Sequence, residues 1–120
     1  MNEESKIELT EEVFESHIVV RVSGQLDVTS GNVFEKFLTT HIHSEKIAVV
    51  IDMRGVEYLS SAGLRSLLLL VKQSRQYGTQ LFFCNLSSFV NEIFEVSGFS
   101  SLMTVFPSLG EAVRQVGMLR

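Results

Sequence analysis

The sequence holds one cysteine, one proline and no apolar run approaching the roughly 18 residues that a membrane span needs. The lone Cys84 excludes an internal disulfide and cannot by itself build a thiolate metal centre; flanked by Phe82, Phe83 and Leu86, it reads as a small core hydrophobe. The lone Pro107, with no stretch rich in serine, glycine or proline, argues against an internal linker, and no repeat or low-complexity segment interrupts the chain. The acidic, apolar-poor beginning carries no signal-peptide pattern, so the expected location is cytoplasmic, away from membranes. Positive charge is scarce too: 10 Lys and Arg against 14 Asp and Glu leave a formal net charge of −4, with the basic residues scattered singly. Direct nucleic-acid binding, which needs a phosphate-neutralising basic surface, is disfavoured. What is present is 120 residues of which 45% are hydrophobic. That is one domain, residues 1–120, able to bury roughly two thirds of its unfolded surface. Met1 to Ser5 are expected to fray, and the free protein to be a monomer.

Apolar periodicity predicts an α/β chain. Lys6 to Val13 and His17 to Ser23 read as an antiparallel hairpin joined through Phe14, Glu15 and Ser16; the second strand sets Ile18, Val20 and Val22 against Val19, Arg21 and Ser23. Val33, Phe34, Phe37 and Leu38 place a first helix from about Thr29 to His43. Ile47 to Ile51, continuously apolar and rich in β-branched residues, reads as a central strand covered on both faces. It is expected to close at Asp52, with Gly55 in a short turn behind it. A second helix follows from Ser61 to Tyr77 with Gly78 as its stop; Leu64, Leu67, Leu68 and Val71 face the sheet and Leu69 points away, a candidate contact. Thr79 to Asn85 is the next strand, and Ser87 caps a helix carrying Phe89, Ile93, Phe94 and Val96 up to Gly98. A short apolar segment, Leu102 to Phe106, precedes a last helix opened by the Ser108/Glu111 capping-box spacing. The sum is a mixed sheet with an N-terminal antiparallel hairpin and about four helices.

The segment with most chemical content is Ile47 to Leu64, which delivers a small hydroxyl residue, Ser61, to the start of a helix. The first turn of a helix has unpaired N–H groups and partial positive charge, so a phosphoryl group is well accommodated there. Ser61 is therefore a candidate phosphorylation switch on a binding module. On spacing alone an ordinary serine cap is the better explanation of Ser60-Ser61, since serine is preferred there whatever the function.

These residues resemble the STAS domain family, and within it the bacterial anti-sigma factor antagonists. The similarity runs from the hairpin through Gly24-Gln25-Leu26-Asp27, where the family has Gly-Glu-Leu/Ile-Asp, to Phe94-Glu95-Val96-Ser97-Gly98-Phe99 and the final capped helix. In the family a stretch resembling Asp-Ser-Ser/Thr-Gly-Leu carries the phosphoacceptor; aligned on Gly63-Leu64, that acceptor falls on Ser61, with Ser60 the fallback. Here Ser60 stands at the family's aspartate and Ala62 at its second hydroxyl, so the capping oxygen is kept and the charge is lost. The resemblance implies a partner-switching circuit. The unphosphorylated form binds an anti-sigma factor, often a serine kinase of the GHKL fold, and releases its client. The kinase then phosphorylates the antagonist, and a metal-dependent serine phosphatase resets it. The implied contact surface comprises Asp27, Ser60, Ser61, Ala62, Gly63, Arg65 and Leu69. Asp27 has an Asx-turn or helix-cap alternative, and Arg65 that of a plain solvated arginine. Asp52 reads as fixing the turn before the switch segment. No cofactor, resident metal or catalytic residue is implied.

Other classes fit less well. A response-regulator receiver would use further metal-binding acids and a late lysine, yet no lysine follows Lys72. A hydrolase or metalloenzyme would need a signature such as Gly-x-Ser-x-Gly or His-Glu-x-x-His, and neither occurs. His41 and His43 would lie about 200° apart on a helix, unsuited to one metal. Within the family, a STAS scaffold or transporter-accessory domain that works without phosphorylation, or one that binds a nucleotide, is the alternative that the Ser60 departure keeps open.

Overall fold

In the computed structural model, which describes residues 7–119, β1 (Ile7–Val13) and β2 (His17–Leu26) form the expected antiparallel hairpin. The expected fraying of Met1 to Ser5 lies outside the described residues, as does Lys6. From β2 onward the strands run parallel: β3 (Ala48–Leu59), β4 (Gln80–Cys84) and β5 (Thr104–Phe106) follow in chain order, giving one sheet ordered β1-β2-β3-β4-β5. Parallel neighbours cannot be joined by tight turns, so helices fill the connections: α1 (Gly31–Ile42), α2 (Ser61–Tyr77) and α3 (Ser88–Val96), with α4 (Leu109–Gly117) after β5. A 3₁₀ turn at Phe99–Leu102 leads into β5.

Strand alternation divides the core in two. Val20, Val22, Val49, Ile51, Met53 and Phe83 point to the face covered by α1, α2 and α3, where Phe34, Leu38, Leu67, Leu70 and Phe94 meet them, all nearly or wholly buried. Val19, Val50, Phe82 and Cys84 point to the other face, covered by Ala112 and Val116 of α4. The first layer is the larger, and it holds the helix that carries Ser61.

Four expectations need correcting. β3 does not close at Asp52 with a turn at Gly55; it runs on to Leu59 beside β2, two register shifts taking up its extra residues. Gly55 is there because the strands approach closely: a Cβ on it would lie 2.5 Å from the Cβ of Ser23. β2 likewise extends past Ser23 to Leu26, with Gly24 at φ 106°. α1 starts at Gly31 rather than Thr29, because Asp27 holds the preceding residues in a turn. On α2, Leu68 is only half-buried and Leu70 is completely buried; the helix packs on α1 as well as on the sheet, which widens and rotates its buried stripe.

Candidate functional site

The ends of β2 and β3 are the foundation of the site. Leu26 and Leu59 are register partners, so the residues after them, Asp27 and Ser60, emerge side by side at one end of the sheet. The Ser60 N–H donates to the Leu26 carbonyl at 2.9 Å, tying the start of α2 to the end of β2. Gly63 makes the contact possible. Buried against that strand end, it leaves no room for a side chain, since a Cβ would lie 2.9 Å from the Leu26 carbonyl carbon and closer still to its oxygen.

Ser60 is the N-cap of α2: its backbone is extended (φ −88°, ψ 173°) and its Oγ accepts from the Gly63 N–H at 3.1 Å. Ser61 is the first helical residue, its side chain exposed, and among the described residues no hydrogen bond engages its hydroxyl. The two serines therefore differ in kind. Ser60 has its oxygen committed to the backbone, whereas Ser61 presents its hydroxyl to solvent beside the unpaired N–H groups of a helix start.

Asp27 accepts through Oδ1 from the Thr29 N–H (3.0 Å), the Ser30 N–H (3.1 Å) and the Thr29 hydroxyl (2.8 Å). The Ser30 hydroxyl in turn donates to the Gln25 carbonyl at 2.6 Å. Asp27 is thus an Asx-type clamp on its own loop, and it also lines a shallow hollow of about 850 Å³ together with Ser60, Ser61 and Ala62. Arg65 and Leu69 follow Ser61 at successive turns of α2; both are exposed, Leu69 to 41%.

Several features missed by the sequence surround Ser61. Val28, Tyr58 and Phe89 share the hollow with it, and a second hollow of about 480 Å³ between α2 and α3 is lined by Ser61, Leu64, Phe89, Glu92, Ile93 and Val96. On α3 the core takes Val90 and Phe94, leaving Phe89 49% and Val96 81% exposed. Their i, i+7 spacing on a helix whose opposite side already supplies the core was the available signal.

Other polar groups lie elsewhere. Asp52 does not fix a turn before Ser61: it sits on the α4 side of the sheet, where its Oδ1 accepts from the Arg54 N–H and Asn85 Nδ2, both at 3.0 Å. The Asn85 bond ties β3 to the residue that follows β4, while the Arg54 bond is local to β3. Burial, reinforced by the Asp52 carboxylate, pushes the Cys84 thiol up to about 12. The histidines gather at the opposite end of the sheet: His41 pairs with Glu11, His43 stacks on Tyr77 at 3.9 Å, and His17 stacks on Phe14 at 4.7 Å. Among the described residues no three His, Cys, Asp or Glu side chains converge as a metal set, and no helix is long and apolar enough to cross a membrane.

Comparison with known proteins places this geometry. The STAS domain family model matches residues 8–112. BtrV of Bordetella bronchiseptica, which carries the provisional assignment of anti-sigma factor antagonist, is 33% identical over 82% of this chain and 85% of its own. An anti-sigma factor antagonist from Mycobacterium paratuberculosis superimposes with a TM-score of 0.82 at 23% identity, covering 92% of this chain and 93% of that one. The Bacillus cell fate determinant SpoIIAA, solved in its phosphorylated form, shares the fold with a TM-score of 0.70 at 19% identity over 91% and 99% of the two chains. A family model and a relative that each span most of the molecule agree, and the chain belongs to the STAS domain family.

Proposed function

We propose that this protein is an anti-sigma factor antagonist that works by partner switching in the cytoplasm. Unmodified, it binds an anti-sigma factor that is also a serine kinase of the GHKL fold, displacing the client; phosphorylation of Ser61 ends the association, and a metal-dependent serine phosphatase restores it. The names of the relatives support the role. The observation that carries the assignment of the acceptor is the contrast at the head of α2, where the Ser60 oxygen is taken up as a cap and the Ser61 hydroxyl is exposed. Asp27 and Ala62 share the hollow with that serine, Arg65 and Leu69, exposed at the next two turns of α2, extend the proposed contact surface along the helix, and Gly63 sets the position of the helix beneath it.

A phosphate adds about −1.5 to −2 charges at a helix N-terminus, where negative charge is favourable by roughly 0.3–1 kcal/mol, so the fold survives the modification. A partner docked over the same helix end must desolvate the phosphate, and any carboxylate it presents is repelled. A loss of about 3–4 kcal/mol corresponds to roughly a hundred- to a thousandfold in affinity, sufficient to exchange partners. The test is incubation with the cognate kinase and ATP followed by peptide mapping. Phosphate on Ser61 is the expected result; its absence from every peptide containing Ser60 or Ser61 would remove the proposal. Ser61→Ala should bind tightly and Ser61→Asp weakly.

A further inference from the structure

We infer that the open part of the sheet face on the α4 side binds a small zwitterion, an α-amino acid with an apolar side chain, its ammonium held by Asp52 and Asn85 and its carboxylate by Arg54. α4 packs on β3, β4 and β5. Beside it lies a hollow of about 500 Å³, the size of a small-ligand site, floored by the ends of β2 and β3 and walled by Leu109 of α4. On this face Val19 and Val50 belong to the core under α4, and the residues that follow them along the strands, Arg21 and Ser23 on β2, Asp52 and Arg54 on β3, are polar and line the hollow. A solvated sheet face would also be polar. What sets this one apart is a carboxylate that it buries.

Asp52 is 7% exposed. Its Oδ1 is taken by the Arg54 N–H and the Asn85 amide, and among the described residues no donor reaches Oδ2. No fully buried side-chain polar atom there is without a partner, so Oδ2 opens on the hollow. Asn85, just past β4, holds a left-handed φ of 58°, a conformation that is costly for a residue with a side chain and recurs where ligands are gripped. With its Nδ2 given to Asp52, its Oδ1 is a second acceptor beside Oδ2. The cation stands next to them. Arg21 pairs with Asp52 and Ser23 with Gly55, so Met53 and Arg54 together oppose Val22 in a bulge, the irregularity by which strands re-aim a side chain. Met53 stays in the core, and the Arg54 guanidinium, exposed and without a hydrogen bond or ion pair among the described residues, lines the hollow.

The lining charges choose the ligand. Asp52 and Glu8 are negative, Arg21 and Arg54 positive, and Arg21 is already paired with Glu12 at 3.2 Å. A plain anion would meet Arg54 but also two carboxylates, and a plain cation the reverse. A zwitterion satisfies both ends: carboxylate to guanidinium in a charge-assisted, two-pronged bond, N–H donors to the two acceptors. Asp52 and Arg54 are near neighbours on one strand, so the ligand's charges must also be close together, as they are in an α-amino acid, with Leu109 as the wall for its side chain. The hollow lies on the opposite face of the sheet from α2, and the inference is independent of the switch at Ser61.

The test is titration of the isotope-labelled full chain, followed by amide resonances, with L-leucine, L-methionine and L-phenylalanine, and with acetate, ethylamine and inorganic phosphate as probes of one charge sign, each to about 10 mM. At least one amino acid should shift the Arg54, Gly55 and Asn85 amides saturably with a dissociation constant of about 1 mM or tighter, and the single-sign probes should bind at least about tenfold more weakly. Arg54→Gln, at an exposed side chain, should leave the melting transition in place and weaken the amino acid about tenfold or more; Asp52→Asn, which keeps an acceptor for the Arg54 N–H, should weaken it likewise. No saturable shift from any of the three amino acids would overturn the inference. So would acetate or phosphate binding as tightly as the amino acid, which would make the hollow a plain anion site, or an Arg54→Gln protein that keeps its affinity within about twofold.

Discussion

Gly63→Ala is the sharpest structural perturbation at the site. The added methyl would stand 2.9 Å from the Leu26 carbonyl carbon, closer still to its oxygen, and 3.1 Å from its Cβ. Two of those three atoms are backbone at the end of an interior strand, so the start of α2 must lift instead, stretching the 2.9 Å bond from the Ser60 N–H to the same carbonyl. Overpacking costs about 1–3 kcal/mol and a weakened hydrogen bond about 1 kcal/mol more. A total of about 3 kcal/mol lowers the midpoint of a domain this size by roughly 10 °C. Calorimetry should compare it with two controls. Gly117→Ala meets nothing within 4 Å and should be neutral or stabilising by up to about 1 kcal/mol. Gly78→Ala also meets nothing but takes on a φ of 71°, costing about 1–2 kcal/mol. A Gly63→Ala protein melting with the Gly117→Ala protein would refute the account of how α2 is seated, and with it the reason Ser61 stands where it does.

Removing the cap should separate the two serines: Ser60→Ala is expected to cost about 1 kcal/mol in calorimetry yet leave Ser61 phosphorylated by the cognate kinase, and Ser60→Asp to restore the lost stability. Asp52→Ala, which frees the Arg54 N–H and the Asn85 amide, should destabilise by about 1–3 kcal/mol while leaving affinity for the anti-sigma factor unchanged in titration. The Cys84 thiol, raised from 9.0 to about 12, should resist alkylation at pH 8 in the native state and react fully once unfolded, as mass spectrometry would read. Because the folded state favours the protonated thiol, the stability due to this shift is complete below pH 9 and is lost as pH rises toward 12. Cys84→Ala should remove that part of the alkaline decline in denaturation midpoint.

Local chemistry was the legible part of the sequence. The serines that open α2, α3 and α4 each accept from the N–H three residues on, and Gly78 and Gly98 adopt the positive φ that ends a helix or opens the next turn. Such features depend on neighbours in the chain. What was misread depends on remote ones. Gly55 looked like a turn because glycine often marks one, but β2 lies alongside and keeps the strand going to Leu59. Leu68, read as facing the sheet, is only half-buried and Leu70 is buried instead because α1, far off in sequence, covers part of α2. Phe89, Ile93, Phe94 and Val96 were read together on one helix, and only the packing shows that Phe94 is covered while Phe89 and Val96 are exposed. At the site, the Asx-type turn at Asp27 was one of the two readings its residue type offered, while its partners, the Thr29 and Ser30 N–H groups, required the loop itself.

The most direct measurement is the affinity of one anti-sigma factor for two preparations of this chain, one unmodified and one quantitatively phosphorylated on Ser61, with both melting curves recorded alongside. The account predicts superimposable melting and a dissociation constant raised about a hundred- to a thousandfold by the phosphate. Equal affinity of the two preparations, or a lost affinity matched by a collapsed melting transition, would contradict it.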